Sequence, residues 1–315
     1  MTSVRILRAD DVREALPMAA CIEAVQAAFV AYSAGGAELP SVIHLDVPEA
    51  EGEIHVKAGH IHGAPAYAVK VASGFYGMDP PAIDGLVLVF DAVTGAPAAI
   101  LLDGGLITDV RTGAAGGVAA RWLAPARVDV VAVLGTGIQA RRQVEALRCV
   151  RADLGEIRVW GRDMDRAMRA AHDIGAMVSD SVQEAVTGAT VVITATASRE
   201  PLIDAAWVAP GAHITAVGSD GVGKQELDPE LLRRADVVAV DSLDQCRRLG
   251  ELQHAPDQAD RVVELGRICA GEADGRTGDD QLTICDLTGV GVQDVAAANA
   301  VLANAPSDAG AWLEV

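Results

Sequence analysis

Between Ala15 and Val30 apolar residues recur every three or four positions (Ala15, Met18, Ala19, Ile22, Val25, Phe29 and Val30). That spacing puts them on one face of a helix. Asp10 or Asp11 is the expected cap. Pro17 divides the segment, so its longer part starts there, and Gly35-Gly36 ends it. The period then changes. Val42–Leu45, Glu53–Val56, Tyr67–Val71, Gly85–Phe90 and Pro97–Leu102 read as strands. Pro48-Glu49, Glu51-Gly52 and Gly63-Ala64-Pro65 supply turns, and Asp91 to Gly95 makes a hairpin loop. This is a mainly β, antiparallel region of about five strands. Leu106 to Ala124 is rich in Ala and Gly and reads as a helix, broken at Leu123-Ala124-Pro125.

From Val128 the pattern alternates. Strands are expected at Val128–Leu134, Ile157–Trp160, Val191–Thr196, His213–Val217, Val237–Asp241 and Leu282–Asp286. Helices are expected near 138–150, 163–173, 181–186 and 227–234. Alternating strands and helices imply a parallel sheet covered on both faces. The first strand runs into Gly135-Thr136-Gly137-Ile138-Gln139-Ala140. A Gly-x-Gly-x-x-Gly/Ala turn between strand and helix allows a tight bend and lets a pyrophosphate approach backbone N–H groups at a helix N-terminus. A dinucleotide is therefore the expected cofactor. Position 161, at the end of the second strand, carries Gly where an acidic ribose ligand is usual, and Arg162 and Asp163 follow. That favours the 2′-phosphorylated form, NADP(H), although Asp163 could still serve a ribose hydroxyl. Further cofactor contacts are expected at Thr112, Thr196, Val217, Thr288 and Gly289. Gln293 to Ala305 reads as a helix returning to the first domain. The fold class is α/β: a Rossmann-type dinucleotide-binding domain over 119–289, and a mixed α+β domain over 1–118 plus 290–315, to which the family resemblance given below assigns substrate binding and dimerisation.

Composition narrows the partners. The 315 residues carry a formal net charge of −19, a field that repels nucleic acid and anionic membrane. No run approaches the ~18 apolar residues of a membrane helix, and the first residues lack the apolar core of a signal peptide. A cytoplasmic setting is expected. Five scattered cysteines fit reduced thiols better than a disulfide framework. Only three of the 25 basic side chains are lysine: Lys57, Lys70 and Lys224. Where arginine is the default cation, a retained lysine marks a position that arginine does not serve, since an ammonium changes pKa readily on burial. Nucleotide bias with three chance survivors is the competing explanation.

Several stretches together resemble the ornithine cyclodeaminase/mu-crystallin family. They are Tyr67–Val71, Ile107–Ala115, the Gly135 turn with Gln139-Ala140, Ala216–Asp220 with Glu226-Leu227-Asp228, and Asp286–Gly289 with Gln293-Asp294. The resemblance runs in order over nearly the whole chain. It implies a homodimer pairing through the substrate domains, and a hydride passed between nicotinamide and the α-carbon of an amino or imino acid. Lys70 resembles the family's catalytic lysine. Its position among apolar neighbours on a short strand would lower its pKa towards the working range. Arg111 resembles the carboxylate-binding arginine, whose planar fork suits a bidentate pair. Asp220, after a strand end, resembles the aspartate that cyclodeaminases use at the distal amine.

The chain also departs from that pattern. Cyclodeaminases carry an arginine just after the proline of the loop before the first strands, where this chain reads Pro40-Ser41-Val42. A cation stands instead at Lys57, which is expected to take over that part of the clamp. Lys224 either faces the cofactor or supports the turn at Asp220. Of His55, His60 and His62, strand alternation puts only His60 and His62 on one face, and no third ligand with suitable spacing joins them, so no metal is expected. The reading is an NAD(P)-dependent amino-acid dehydrogenase or imine reductase. The alternatives are a cyclodeaminase and a non-enzymatic binding protein.

Overall fold

The computed structural model describes residues 3–75, 77–78 and 82–314. The chain forms two compact units, Met1–Arg111 with Gly291–Val315, and Thr112–Val290. The first division falls within the helix Leu106–Leu123, after Arg111, rather than at 118. Arg111 ion-pairs with Asp294 and so belongs with the first unit.

Unit 1 is built on an eight-stranded sheet. Its centre is an antiparallel meander of Gly52–Ile61, Ala66–Phe75, Ala82–Asp91 and Pro97–Leu102. Three strands of this sheet escaped the sequence pattern, the shortest being Ala37–Glu38 beside Gly52–Ile61. Ser3–Arg8 pairs parallel with Pro97–Leu102, and Ala311–Glu314 pairs antiparallel with Ser3–Arg8 at the edge. The sheet is therefore mixed, and its first strand is closed by a segment some 300 residues away, which no local period reveals.

The N-terminal helix divides as Pro17 dictates, into Ala9–Ala15 and Met18–Ser33, with Pro17 at the cap of the second. Arg8, not an aspartate, holds the cap position of the first. Asp11 lies three residues further on and accepts the Arg8 N–H at 2.8 Å. The C-terminal helix is Gly291–Asn304. It comes close to the strand Gly52–Ile61: a Cβ at Gly59 would lie 2.8 Å from Leu39 and 3.2 Å from Val295.

Unit 2 contains an eight-stranded, wholly parallel sheet. Leu154–Trp160 lies on one side of Val128–Leu134 and Val191–Thr194 on the other. The strand order therefore reverses beside Val128–Leu134, and such a switch point is where open α/β sheets bind ligands. Burial on both faces explains why the strand is apolar from Val130 to Leu134. Val131 and Val133 enter one core cluster and Ala132 and Leu134 the other, all at 0% exposure. Each buried branched side chain contributes about 1.5–3 kcal/mol. The helices Ile138–Val150, Met164–Ile174, Val182–Val186 and Pro229–Arg234 fall close to expectation. Leu243–Leu249, a short polar helix, was not foreseen.

Candidate active site

Unit 1 gathers charge in its interior. Lys57 on Gly52–Ile61 and Lys70 on Ala66–Phe75 are direct cross-strand partners. Directly opposed residues share a sheet face, where like charges repel. Lys70 is 5% exposed; its Nζ donates to Asp294 Oδ1 at 2.9 Å and to Thr108 Oγ1 at 3.1 Å. Arg111, one helical turn after Thr108 on Leu106–Leu123, donates from Nε to the same Asp294 oxygen at 2.9 Å and from Nη1 to Gln293 Oε1 at 2.6 Å. Asp294 thus holds two cations that the chain separates by some 40 residues. Burial pushes the Lys70 ammonium down to about 8, Asp294 opposes that shift, and Arg111 and Lys57 add to it. Burial acts against the Asp294 carboxylate, but Lys70, Arg111 and Lys57 outweigh it and hold the group down to about 2. Lys70 is consequently a buried ammonium able to lose its proton near neutral pH, beside a carboxylate that stays charged. Two atoms of this cluster, Gln293 Nε2 and Asp294 Oδ2, are buried without a hydrogen-bond partner among the described residues. Each such atom costs about 1–3 kcal/mol.

Gln293 and Asp294 were visible in the sequence only as part of a motif. Neither was singled out as a site residue. A polar pair inside a helix of small, buried residues was the available signal.

Unit 2 carries the expected turn. Gly135 has φ +126°, and a Cβ there would meet the Ala195 carbonyl at 2.4 Å, so only glycine fits. Gly137 caps Ile138–Val150 without a side-chain bond, and a Cβ there would meet nothing within 4 Å. Open space over the first N–H groups of a helix is what a pyrophosphate needs. Ala140 is fully buried, which allows helix and strand to approach, while Ile138 is 45% exposed at the helix start. Gln139 follows it in the first turn. Arg141, not foreseen, donates to the carbonyls of Thr136 and Gly137 at 3.0 Å each and braces the turn. The residues present therefore fit a dinucleotide.

Gly161 has its own steric reason. A Cβ at that position would come within 2.4 Å of Thr136 Cγ2. A side chain at 161 would therefore force the Thr136 methyl to move. Arg162 is exposed. Asp163 caps Met164–Ile174 by accepting the Arg166 N–H at 2.9 Å, which engages the one nearby carboxylate proposed for a ribose.

The remaining cofactor candidates have mixed placements. Thr112 accepts from Gln143 through its carbonyl, at 2.9 Å. Val217 is buried, and its N–H donates to Thr194. The Thr196 amide and hydroxyl both donate to Glu226 Oε1 at 2.7 Å, so this side chain serves the protein's own loop. Glu226 also accepts from Thr194 and Gly218, at 2.6 and 2.8 Å. Thr288 and Gly289 donate their N–H groups to Asp241 Oδ2 at 3.0 and 2.7 Å. Burial raises the pKa of both Glu226 and Asp241, and their hydrogen bonds act against it. These two buried carboxylates, which the sequence reading passed over, shape the loops at the carboxyl ends of the strands.

Asp220 lies in an exposed loop of unit 2, with its Oδ1 2.5 Å from Lys224 Nζ. Lys224 therefore braces the Asp220 turn. His44 lies on Ile43–Val47, His55 and His60 lie on Gly52–Ile61, and His62 follows that strand. His44 and His55 pair edge to face at 4.6 Å, and His60 and His62 are 6.0 Å apart. All five cysteines are free.

Residues 3–309 match the model of the ornithine cyclodeaminase/mu-crystallin family. The chain is similar to an alanine dehydrogenase of Archaeoglobus fulgidus (36% identity, covering 96% of this chain and 95% of the relative). It is also similar to the ketimine reductase mu-crystallin of Mus musculus (34% identity, 89% of each). Among solved structures, an archaeal alanine dehydrogenase dimer with bound NAD superposes with a TM-score of 0.90 at 33% identity, over 99% of each chain. With a family model matched over nearly the whole chain and relatives above 30% identity, the chain belongs to the ornithine cyclodeaminase/mu-crystallin family.

Proposed function

We propose that the protein is an NAD(P)-dependent oxidoreductase of an α-amino or α-imino acid, a dehydrogenase or imine reductase acting at Cα. The observation that carries this reading is the buried Lys70–Asp294–Arg111 cluster. When bound, the nicotinamide supplies or accepts the hydride. The chain's own residues do the rest. Arg111 and Lys57 hold the substrate carboxylate. Lys70 stands at the substrate nitrogen and exchanges its proton, and Asp294 keeps its ammonium in place.

The cofactor preference we propose is NADP(H). An exposed Arg162, a glycine rather than an acid at position 161 and an Asp163 engaged as a helix cap all support it. Arg162→Ala should then weaken the phosphorylated form selectively in a fluorescence titration, and equal loss for both forms would contradict the preference. A homodimer formed through unit 1 is supported by exposed Ile43 and Leu45 on one face of the strand Ile43–Val47, and by exposed Ile83 on Ala82–Asp91. A cytoplasmic setting and a small amino or imino acid partner complete the reading.

A second reading, a cyclising deaminase, rests on Asp220, whose carboxylate would serve a distal amine once freed from Lys224. Assays of amino acids, and of keto acids with ammonia or methylamine, separate the two. A dehydrogenase or reductase changes nicotinamide absorbance in proportion to substrate, while a cyclodeaminase releases ammonia with no net change. Neither signal would leave a binding protein.

A further inference from the structure

We propose that Gln293 and Asp294 are direct substrate ligands: the Gln293 amide donates to the α-carboxylate, and the second Asp294 oxygen accepts an N–H from the α-nitrogen. The inference rests on the amino or imino acid reading above and makes it more specific.

The orientation of Gln293 is fixed by its neighbour. A guanidinium can only donate, so the amide oxygen must face Arg111, and it does so at 2.6 Å. The amide N–H groups are thereby turned elsewhere, and Nε2 has no partner among the described residues although the side chain is fully buried. Asp294 is divided in the same way. Oδ1 takes both Lys70 and Arg111, whereas Oδ2 takes nothing among the described residues. The large majority of buried side-chain polar atoms are satisfied in folded proteins, so two orphans on adjacent residues call for an explanation. One is a donor and the other an acceptor, and both belong to side chains bonded to the same arginine. An amino-acid head group has the complementary pair, a carboxylate that accepts and an ammonium or iminium that donates. Lys57 and Lys70, facing each other across the sheet, add the positive charge that a carboxylate requires.

The consequence is a substrate class. A ligand must present both a carboxylate and an N–H on the same carbon, as a protonated α-imine or an α-amino acid does. An analogue lacking either leaves a buried group unpaired, which is the strongest form of discrimination that a site achieves.

The test uses the full chain with saturating cofactor and two matched probe pairs. The first pair is 1-pyrroline-2-carboxylate against 1-pyrroline, which lacks the carboxylate. Gln293→Glu keeps an oxygen for Arg111 and removes the donor; Gln293→Met is the second variant should the first fold poorly. Each should reduce the wild-type preference in kcat/KM for the carboxylate by about tenfold, with the cofactor dissociation constant unchanged. The second pair is L-proline against tetrahydrofuran-2-carboxylate, as inhibitors of imine reduction. Asp294→Asn should reduce the preference for proline by a similar factor. An active wild type whose preferences survive these substitutions overturns the proposal alone. A wild type that turns over no amino or imino acid overturns the functional reading and the proposal with it.

Discussion

Lys70 is where burial and charge are most closely opposed. Its ammonium loses solvation, keeps Asp294 as a partner, and sits near two further cations that push its proton off. A group ionising near 8 is protonated below that pH and neutral above it. Imine reduction, which consumes the Lys70 proton, should therefore slow as pH rises through about 8, and amino-acid oxidation should quicken over the same interval. Asp294 favours the charged form and Lys57 disfavours it, so the two substitutions should act in opposite directions. Asp294→Asn moves the break to lower pH and Lys57→Ala to higher pH, both readable from kcat profiles in the two directions. Lys57→Ala should also raise KM for the acid roughly tenfold, and an unchanged KM would remove Lys57 from the clamp. Lys70→Ala should cost roughly 100- to 10,000-fold in turnover, and full activity would sink its catalytic assignment. Asp294→Asn carries a stability penalty as well, about 3–5 kcal/mol, because it removes the partner of two buried cations. Chemical denaturation measures that separately.

At the scale of the element, the glycine turn illustrates two uses of one residue type. Gly135 is required by backbone conformation and by the Ala195 carbonyl; Gly137 is required by neither. Gly135→Ala should therefore destabilise unit 2 by more than about 1 kcal/mol. Gly137→Ala should leave the melting temperature nearly unchanged, and yet weaken the dinucleotide at least about tenfold by placing a methyl group where phosphate approaches. Calorimetry paired with a cofactor titration distinguishes the two, and tight cofactor binding by Gly137→Ala would refute the phosphate site. The parallel sheet itself was legible because buried strands declare themselves as apolar runs between helix signals. The unit 1 sheet was only partly legible. Ser3–Arg8 and Ala311–Glu314 are short, and they pair with partners from distant parts of the chain. The Thr136–Gly161 contact was equally hidden, since it joins the ends of two neighbouring strands.

For the whole molecule, the order of motifs along the chain is what the sequence by itself determined. It marked a dinucleotide-binding half, a β-rich half with Lys70 and Arg111, and the family to which both belong. These features are local: a glycine turn needs its strand and helix beside it, and an apolar period needs only its own helix or strand. Tertiary structure alone decided how the charges are balanced. Asp294 reaches Lys70 across 224 positions of sequence and Arg111 across 183, so no spacing rule could have paired them. It also decided that Lys224 is committed to Asp220, that Asp163 is committed to a helix cap, and that Glu226 and Asp241 hold loops together from within. Hydrophobic order is written along the chain because burial is a property of each side chain. Protonation and pairing are not, because they depend on which groups the fold brings within a few ångströms of one another.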